Sequence, residues 1–301
     1  MSVLFGIEEL AVYAGLFLST VIETRTIKTM RTTLPRVIHA LGLLTAALLC
    51  PASVLADNPD QLSKDQTPPW LKEIKLDLAP EYFYWREDYT GSRLLDESGF
   101  RIGLEALYNP PERKGWIWAS RIKLYYGAVD YNGGVQLASG QISPLKSTTD
   151  YYGVLGEGGY GYRYALGQDY FVDVLGRLSL DFWLRHLGSR FGYNEYWFPI
   201  SVKAGVELSP KDVGWLAALG LKVPVYTYQT VDFGRLGGGT VTLHPGTMVS
   251  PYAEAGYKFT THFSATAFFD SYWFKQSPVH QGFLQPESKS YEIGAKLGWT
   301  F

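Results

Sequence analysis

The last eleven residues of the chain alternate strictly between apolar and polar side chains. From Tyr291 to Phe301, every odd position is aromatic or aliphatic, and every even position is glycine, threonine or a charged residue. A period of two places successive side chains on opposite faces of a β-strand. The segment is therefore predicted to be a strand with one apolar and one polar face.

The same alternation recurs along the chain and predicts ten strands in all. The predicted strands are roughly 73–86, 99–109, 115–129, 150–164, 170–186, 196–208, 214–226, 248–260, 263–275 and 289–301. Each is long enough to supply the ~9–11 residues that a tilted strand needs to cross a bilayer, with some overhang. The segments therefore fit the strands of a membrane barrel.

The connections between these segments alternate in length. The short connections are 109–114, 165–169, 209–213 and 261–262, and the longer ones are 87–98, 130–149, 187–195, 227–247 and 276–288. Membrane barrels alternate tight periplasmic turns with longer extracellular loops. The predicted fold class is therefore all-β, a transmembrane antiparallel up-and-down β-barrel of about ten strands. Eight or twelve strands are the alternatives if a segment has been split or merged, and a soluble β-sandwich is the alternative fold.

The final strand resembles the closing strand of the integral outer-membrane β-barrels of Gram-negative bacteria. Such strands typically end in Phe, with aromatic or aliphatic residues at every second position before it, as here up to Phe301. The resemblance implies an outer-membrane location and contact with outer-membrane lipid and lipopolysaccharide. It also implies that the barrel-assembly machinery recognises this strand, with Tyr291, Trp299 and Phe301 as the assembly signal.

The region before the barrel reads as an export signal. Residues 30–56 combine a basic start, an apolar stretch that is too short for a membrane anchor, and a small-residue cleavage site that ends at Ala56. Residues 1–29 are interpreted as an over-extended start, with an unusually long signal as the alternative. Residues 57–72 are predicted to be a periplasmic lead-in, and residues 73–301 the outer-membrane barrel. The single cysteine, Cys50, is expected to be removed with the signal.

Composition narrows the function classes. The 301 residues carry a formal net charge of −2, so no electrostatic attraction to nucleic acid is expected. No long apolar run follows residue 56, which argues against a helical membrane protein. The sequence contains no glycine-rich phosphate loop, no His-Glu-x-x-His motif and no EF-hand motif. Neither a cofactor nor a metal ion is expected.

The inward-facing positions of the predicted strands carry many charges of both signs. Unpaired charges are costly in a narrow, low-dielectric interior, so the balance of signs predicts paired charges that fill the lumen. A narrow solute path through the same charges is the alternative. The predicted lumen charge network is Glu81, Arg101, Glu105, Arg121, Lys123, Glu157, Arg163, Asp173, Arg177, Asp181, Arg185, Lys203, Glu207, Glu254, Lys258, Asp270, Glu292 and Lys296.

Two enzyme hypotheses were weighed against this interpretation. His262-Phe263-Ser264 is similar to the His-x-Ser element of outer-membrane lipid A deacylases, in which Ser is the nucleophile and His the base. Alternation predicts that His262 and Ser264 lie on the same side, at the periplasmic end, but the Asn that commonly follows the Ser in that family is Ala265 here. The Asp-x-His pair of the omptin-type outer-membrane proteases is absent.

The sequence therefore favours a non-enzymatic structural or surface-interaction role through long extracellular loops, above all 130–149 and 227–247. A narrow, porin-like channel for small solutes is the alternative function. An integral outer-membrane hydrolase, either a lipid A deacylase or an omptin-like protease, is the third. The sequence does not indicate which ligand the loops bind.

Overall fold

The computed structural model describes residues 74–108, 114–136, 142–188, 192–234 and 238–301. The predicted over-extended start, signal peptide and periplasmic lead-in lie outside the described residues. Within those residues, no helix has the length and apolarity that a membrane crossing requires.

The described chain is built from twelve strands, of which ten are long. The strands are β1 (Ile74–Tyr89), β2 (Ser92–Tyr108), β3 (Gly115–Gln136), β4 (Ile142–Leu166), β5 (Tyr170–Leu187), β6 (Asn194–Pro210), β7 (Gly214–Asp232), β8 (Thr240–Leu243), β9 (Gly246–Thr247), β10 (Ser250–Lys258), β11 (Phe263–Lys275) and β12 (Glu287–Thr300). The ten long strands correspond one for one to the ten predicted segments.

The long strands close into a barrel. Each pairs in antiparallel fashion with its neighbours in the chain, β7 pairs with β10, and β12 pairs with both β11 and β1. Leu297 in β12 accordingly lies opposite Leu78 on one side and Ala265 on the other. Closure leaves no unpaired edge at the level of the long strands, which a membrane requires. The predicted all-β, up-and-down barrel of ten strands is confirmed.

The two faces of the barrel wall differ in polarity, with the apolar side chains outside. Leu78 and its partner Leu297 are 45% and 49% exposed, whereas the neighbouring inward residues Glu81 and Lys296 are 1% and 3% exposed. In β1 the outward apolar positions end at Tyr84, after which Arg86 and Asp88 take the outward side. The outer surface therefore carries an apolar belt with a polar region beyond it.

The short connections after β4, β6 and β10 lie at one end of the barrel, which we call the short-turn end, while the strands run on well beyond the belt at the other. We call this extension the crown. Among the described residues, the crown consists of 85–97, 129–136, 142–151, 183–188, 192–197, 227–234 and 238–243. The apolar belt, and not the whole length of the strands, marks the part that spans a membrane.

Three segments that were predicted as long loops are mostly strand. β1 and β2 continue to a tight turn at Thr90 and Gly91, both with positive φ, so 87–98 is a hairpin. β3 and β4 pair without a break from Gly115 opposite Arg163 to Gln136 opposite Ile142, which leaves little of 130–149 as loop. In 227–247, β7 continues and turns back as β8, with the short β9 after it. The loop prediction was wrong because polar outward residues weaken the alternation beyond the belt.

Candidate functional site

Charged side chains on the inner face connect neighbouring strands through ion pairs. Arg101 Nη2 lies 2.6 Å from Glu81 Oε1 and 2.7 Å from Glu292 Oε1. Lys123 Nζ lies 2.6 Å from Glu81 Oε2 and 3.6 Å from Glu292 Oε2. The four residues come from β1, β2, β3 and β12. Because each charge has a partner of opposite sign, the attraction between partners offsets the free-energy cost of burying these side chains.

A second group lies on β3, β4 and β6. The carboxylate of Glu157 lies between two cations, with Arg121 Nη2 at 2.9 Å and Lys203 Nζ at 2.6 Å. On β5 and β6, Arg177 Nη1 lies 2.5 Å from Glu207 Oε1. These ion pairs join side chains from different strands on the inner face of the barrel, so little charge is left unpaired at this level.

Two further groups surround the barrel closure and the short-turn end. Lys296 Nζ in β12 lies 2.7 Å from Glu254 Oε1 and 3.2 Å from Glu105 Oε2. Arg163 donates two parallel hydrogen bonds to Asp173, at 2.7 and 2.6 Å. This two-point geometry is the strongest arrangement of a guanidinium and a carboxylate.

The remaining predicted lumen charges differ in their surroundings. Asp270 accepts a hydrogen bond from Lys222 Nζ at 2.7 Å. Asp181 accepts one from the Tyr125 hydroxyl at 3.0 Å, and no ion pair to Asp181 occurs among the described residues. Lys258 donates to a backbone carbonyl in the turn after β6, at 3.1 Å. Asp181 is thus a buried carboxylate without a cationic partner in the described part of the chain.

The crown contains a cluster in which one cation is surrounded by three acids. The Arg185 guanidinium lies 2.8 Å from Glu97, 2.8 Å from Glu195 and 3.5 Å from Glu87. All four side chains are at most 5% exposed. Burial raises the pKa of Glu87 to about 7, with Arg185 opposing the rise and Glu195 adding to it. The cluster lies beyond the apolar belt and carries a surplus of acids.

Aromatic side chains fill the lumen around this cluster. Trp197 stacks on Trp183 at 5.5 Å between ring centroids and meets Trp85 edge-on at 5.2 Å. The indole N–H groups of Trp85 and Trp197 donate to Glu87 and Glu195, each at 2.9 Å. We call these packed rings, with the aliphatic side chains among them, the aromatic plug. Its buried members are Phe83, Trp85, Leu95, Tyr125, Val129, Tyr131, Tyr151, Trp183, Leu187, Trp197, Tyr272 and Phe274.

Sequence reasoning identified Arg185 but missed its three acidic partners. Glu87 and Glu97 fall in the segment predicted as loop 87–98, and Glu195 falls in the predicted loop 187–195. The sequence indicates these acids only by position: Glu87, like Trp85, lies an even number of residues after Glu81 and so falls on the same inward face. The strand was predicted to end before Glu87 because the outward positions beyond Tyr84 are no longer apolar.

Below the aromatic plug, the lumen contains a cavity of about 190 Å³. Its wall runs from Tyr125 and Tyr272, which belong to the plug, to Lys75, Tyr108 and Ser209 near the short-turn end. This volume is far larger than the ~10–15 Å³ that holds one water molecule. The cavity therefore has room for several water molecules among charged side chains, and the plug closes it on the crown side.

The proposed nucleophile–base pair is not assembled. His262 is exposed, its ring stacks on Trp299 at 5.5 Å, and its Nδ1 lies 2.8 Å from the Thr300 carbonyl oxygen. Ser264 is 4% exposed and faces the lumen. The expectation that both side chains lie on the same side of the barrel wall was wrong. His262 still belongs to the turn, and the strand with its alternating faces begins at Phe263. No group of three or more potential metal ligands occurs among the described residues.

The three residues of the predicted assembly signal lie along the closing strand. Tyr291 stacks on Tyr84 at 6.2 Å on the outer surface, near the crown side of the belt. Trp299 is 52% exposed at the opposite side of the belt. The Phe301 amide donates to the Ile74 carbonyl at 3.2 Å. Aromatic rings therefore mark both edges of the belt on this strand, where amphipathic rings favour the membrane interface.

No protein-family model matches the chain, and no curated protein is significantly similar to it. Several solved structures match the chain at low sequence identity. The outer membrane protease OmpT from Escherichia coli is 9% identical with a TM-score of 0.48, over 79% of this chain and 100% of that one. Neisserial surface protein A is 11% identical with a TM-score of 0.30, over 76% and 97%. An outer membrane channel from Pseudomonas putida F1 is 11% identical with a TM-score of 0.34, over 82% and 100%.

The likenesses are distant and say nothing of activity. The architecture itself is informative, since a closed antiparallel ladder is one of two ways to satisfy every backbone polar group in a membrane. The outward apolar belt and the inward charges complete that construction. In its fold, the chain therefore resembles the integral outer-membrane β-barrel proteins of Gram-negative bacteria, as its closing strand predicts.

Proposed function

We propose that the protein is a sealed outer-membrane barrel with a non-enzymatic structural or surface-interaction role, carried by its crown. In this proposal the short-turn end faces the periplasm and the crown faces outward. The belt contacts outer-membrane lipid and lipopolysaccharide, and the closing strand is recognised by the barrel-assembly machinery after the signal peptide directs export.

The aromatic plug is the observation that carries this proposal. Trp183 and Trp197 are paired on the adjacent strands β5 and β6, whereas Trp85 comes from β1 on the opposite side of the barrel. The Trp85 ring nevertheless meets Trp197 in the lumen. Trp85 and Trp197 are 1% and 0% exposed. A solute crossing the lumen would have to displace these stacked rings and the Arg185 cluster with its hydrogen bonds. The packing thus favours a closed barrel over a diffusion pore.

Conductance in planar bilayers tests the seal. The refolded chain 57–301 is expected to show no discrete openings. The double change Trp85→Ala and Trp197→Ala removes the central rings and is expected to produce openings, because large-to-small changes in a packed core leave a cavity. The matched control is Trp215→Ala, which removes a ring that is 65% exposed on the outer surface and is expected to stay silent.

Openings in the unmodified protein, after a heat-modifiable gel shift has shown it to be folded, would contradict the seal and favour the narrow channel. That second function is supported by one observation, the charged cavity that extends towards the short-turn end. A channel would change its conductance on substitution of Arg121 or Arg177, which lie in the cavity wall.

A further inference from the structure

The wall of the luminal cavity does not expose its acids and bases equally. Carboxylates present the larger surfaces: the side chains of Glu207, Glu254 and Asp270 are 28%, 29% and 20% exposed. The wall lysines Lys203 and Lys296 are each 3% exposed. The wall arginines Arg121 and Arg177 are each 14% exposed. A molecule inside the cavity therefore meets carboxylates and guanidinium groups, while the ammonium groups of Lys203 and Lys296 are withdrawn, among the eight acidic and seven basic residues that line the space.

The lysines are hidden because each is held against the wall by a carboxylate and an aromatic ring. Lys203 Nζ lies 2.6 Å from Glu157 and 4.4 Å from the centroid of the Tyr252 ring. Lys296 Nζ lies 2.7 Å from Glu254 and 5.0 Å from the centroid of Phe268. Ammonium groups are attracted to the faces of aromatic rings, so this arrangement keeps positive charge in the wall.

Asp181 provides an independent observation at the plug end of the cavity. This residue is 5% exposed and lines the cavity, and its hydrogen bond from Tyr125 supplies no positive charge. The described residues place no basic group within ion-pair distance of it. Lys222 and Lys123 act on Asp181 only from beyond that distance, so the cost of burying its charge is incompletely offset. A cation that enters the cavity would supply the missing charge.

We propose that the luminal cavity binds a small organic cation, an alkylammonium or diamine, that enters from the short-turn end and places an ammonium group beside Asp181. The rings of Tyr252, Phe268 and Tyr272 line the path and suit the alkyl chain of such a ligand. A bare metal ion fits less well, since no three-ligand cluster occurs in the described part of the chain. The inference goes beyond the proposed sealed barrel, because the plug closes only the crown side and the cavity wall extends to the short-turn end.

Titration calorimetry on the refolded full barrel in detergent tests the site. The probe is 1,4-diaminobutane, with 1,4-butanediol as the neutral molecule of similar shape and succinate as the anion. Saturable binding is expected for the diamine alone. Asp181→Asn keeps the shape of the side chain and is expected to weaken binding at least tenfold. Glu287→Gln, which alters an outer-surface acid paired with Lys289, is expected to bind like the unmodified protein.

Glu254→Gln provides a second variant in case Asp181→Asn does not give a heat-modifiable, folded barrel. It removes charge from the most exposed carboxylate of the wall and is expected to weaken diamine binding as well. Absence of heat with the diamine, equal binding of succinate, or unchanged affinity in a folded Asp181→Asn barrel overturns the proposal. If Asp181→Asn does not fold, unchanged affinity in Glu254→Gln overturns it. None of these outcomes depends on whether the barrel conducts ions, so the site and the seal are tested separately.

Discussion

At the scale of single residues, the crown cluster around Arg185 has one cation for three carboxylates. Apart from those of Arg185, their side-chain hydrogen bonds come from neutral groups: Thr149 donates to Glu97 at 2.7 Å, and Gln229 donates to Glu195 at 3.3 Å. Neutral donors stabilise a carboxylate less than a second cation does. One acid of the cluster therefore holds its proton more strongly than a free carboxyl group, and Glu87 is that acid.

The stability of the crown is expected to depend on pH through Glu87. Its pKa is about 7 in the folded protein against 4.5 for an ordinary glutamate, so the folded state favours the protonated acid. The stabilisation that protonated Glu87 gives is complete below about pH 4.5 and is lost as the pH rises through 7. The free energy of unfolding is expected to fall over this range by at most on the order of 3 kcal/mol. Urea unfolding of the refolded barrel between pH 5 and 8, followed by tryptophan fluorescence, measures this change.

Glu87→Gln provides the matched variant, since the amide keeps the size of the side chain and has no charge to lose. Its unfolding midpoint is expected to vary less with pH than that of the unmodified protein. If both proteins show the same pH profile between 5 and 8, the loss of stability arises from other groups and the assignment to Glu87 fails.

The residue scale also shows where sequence reasoning stops. Lumen charges at the level of the belt, such as Glu81 and Lys296, were identified because their outward neighbours are apolar. Glu87 lies on the same inward face, but it was not predicted there because its outward neighbours Arg86 and Asp88 are polar. Lipid imposes the contrast between the two faces of a strand, so alternation is strong only within the membrane.

At the scale of elements, glycines on the inner face make room for tyrosine rings from neighbouring strands. The ring of Tyr125 in β3 lies over Gly153 in β4, where an added Cβ would overlap it. Tyr252 in β10 likewise lies over Gly205 and Gly220. Rings that cover bare backbone are a recognised means of stabilising glycine in strands. Here they also allow aromatic side chains to lie flat against the wall of a narrow barrel.

Gly153→Ala is expected to destabilise the barrel by about 1–3 kcal/mol, because the methyl group forces the Tyr125 ring out of its place. Gly176→Ala is the matched control, since it lies in the neighbouring strand β5 and its nearest neighbour is a backbone oxygen 4.0 Å away. Urea midpoints of the two variants in the same detergent give the comparison. Equal midpoints would show that Tyr125 moves without cost.

Strand boundaries were predicted unequally well at the two ends. The starts of β5 at Tyr170, β7 at Gly214 and β11 at Phe263 coincide with the predicted starts. Polar turns directly beside apolar strands define those positions. At the crown end, β4 begins at Ile142, where a loop was predicted up to residue 149. Pairing with β3 determines that boundary, and no property of the segment by itself reveals it.

At the scale of the whole molecule, strand number and closure were predictable because ten segments of alternating polarity recur along the chain and the spacing between them is alternately short and long. The seal was only partly predictable. The charge balance indicated a filled lumen, but the contact between Trp85 in β1 and Trp197 in β6 joins residues far apart in sequence. Local alternation carries no information about which inward side chains meet across a barrel.

The β3–β4 hairpin provides a whole-molecule test of the surface role. Replacing residues 134–144 by Asn-Gly joins Gly133 to its partner Leu145 through a two-residue turn that suits a hairpin. The belt and the plug are retained, so a folded and silent barrel is expected. A panel of immobilised glycoproteins and glycans is first screened for surfaces to which cells attach only when they display the unmodified protein. Attachment to any such surface is expected to be lost in this variant. Unchanged attachment would show that the β3–β4 hairpin does not carry the interaction.

The crown also has a consequence for biogenesis. In the proposed orientation, its strands have to cross the bilayer before Trp85, Trp183 and Trp197 can meet, because these rings come from β1, β5 and β6. Packing of the plug is therefore a late event that depends on complete translocation of several strands. A barrel arrested before that step would be an open pore in the outer membrane, so the last stage of folding is also the stage that restores the permeability barrier.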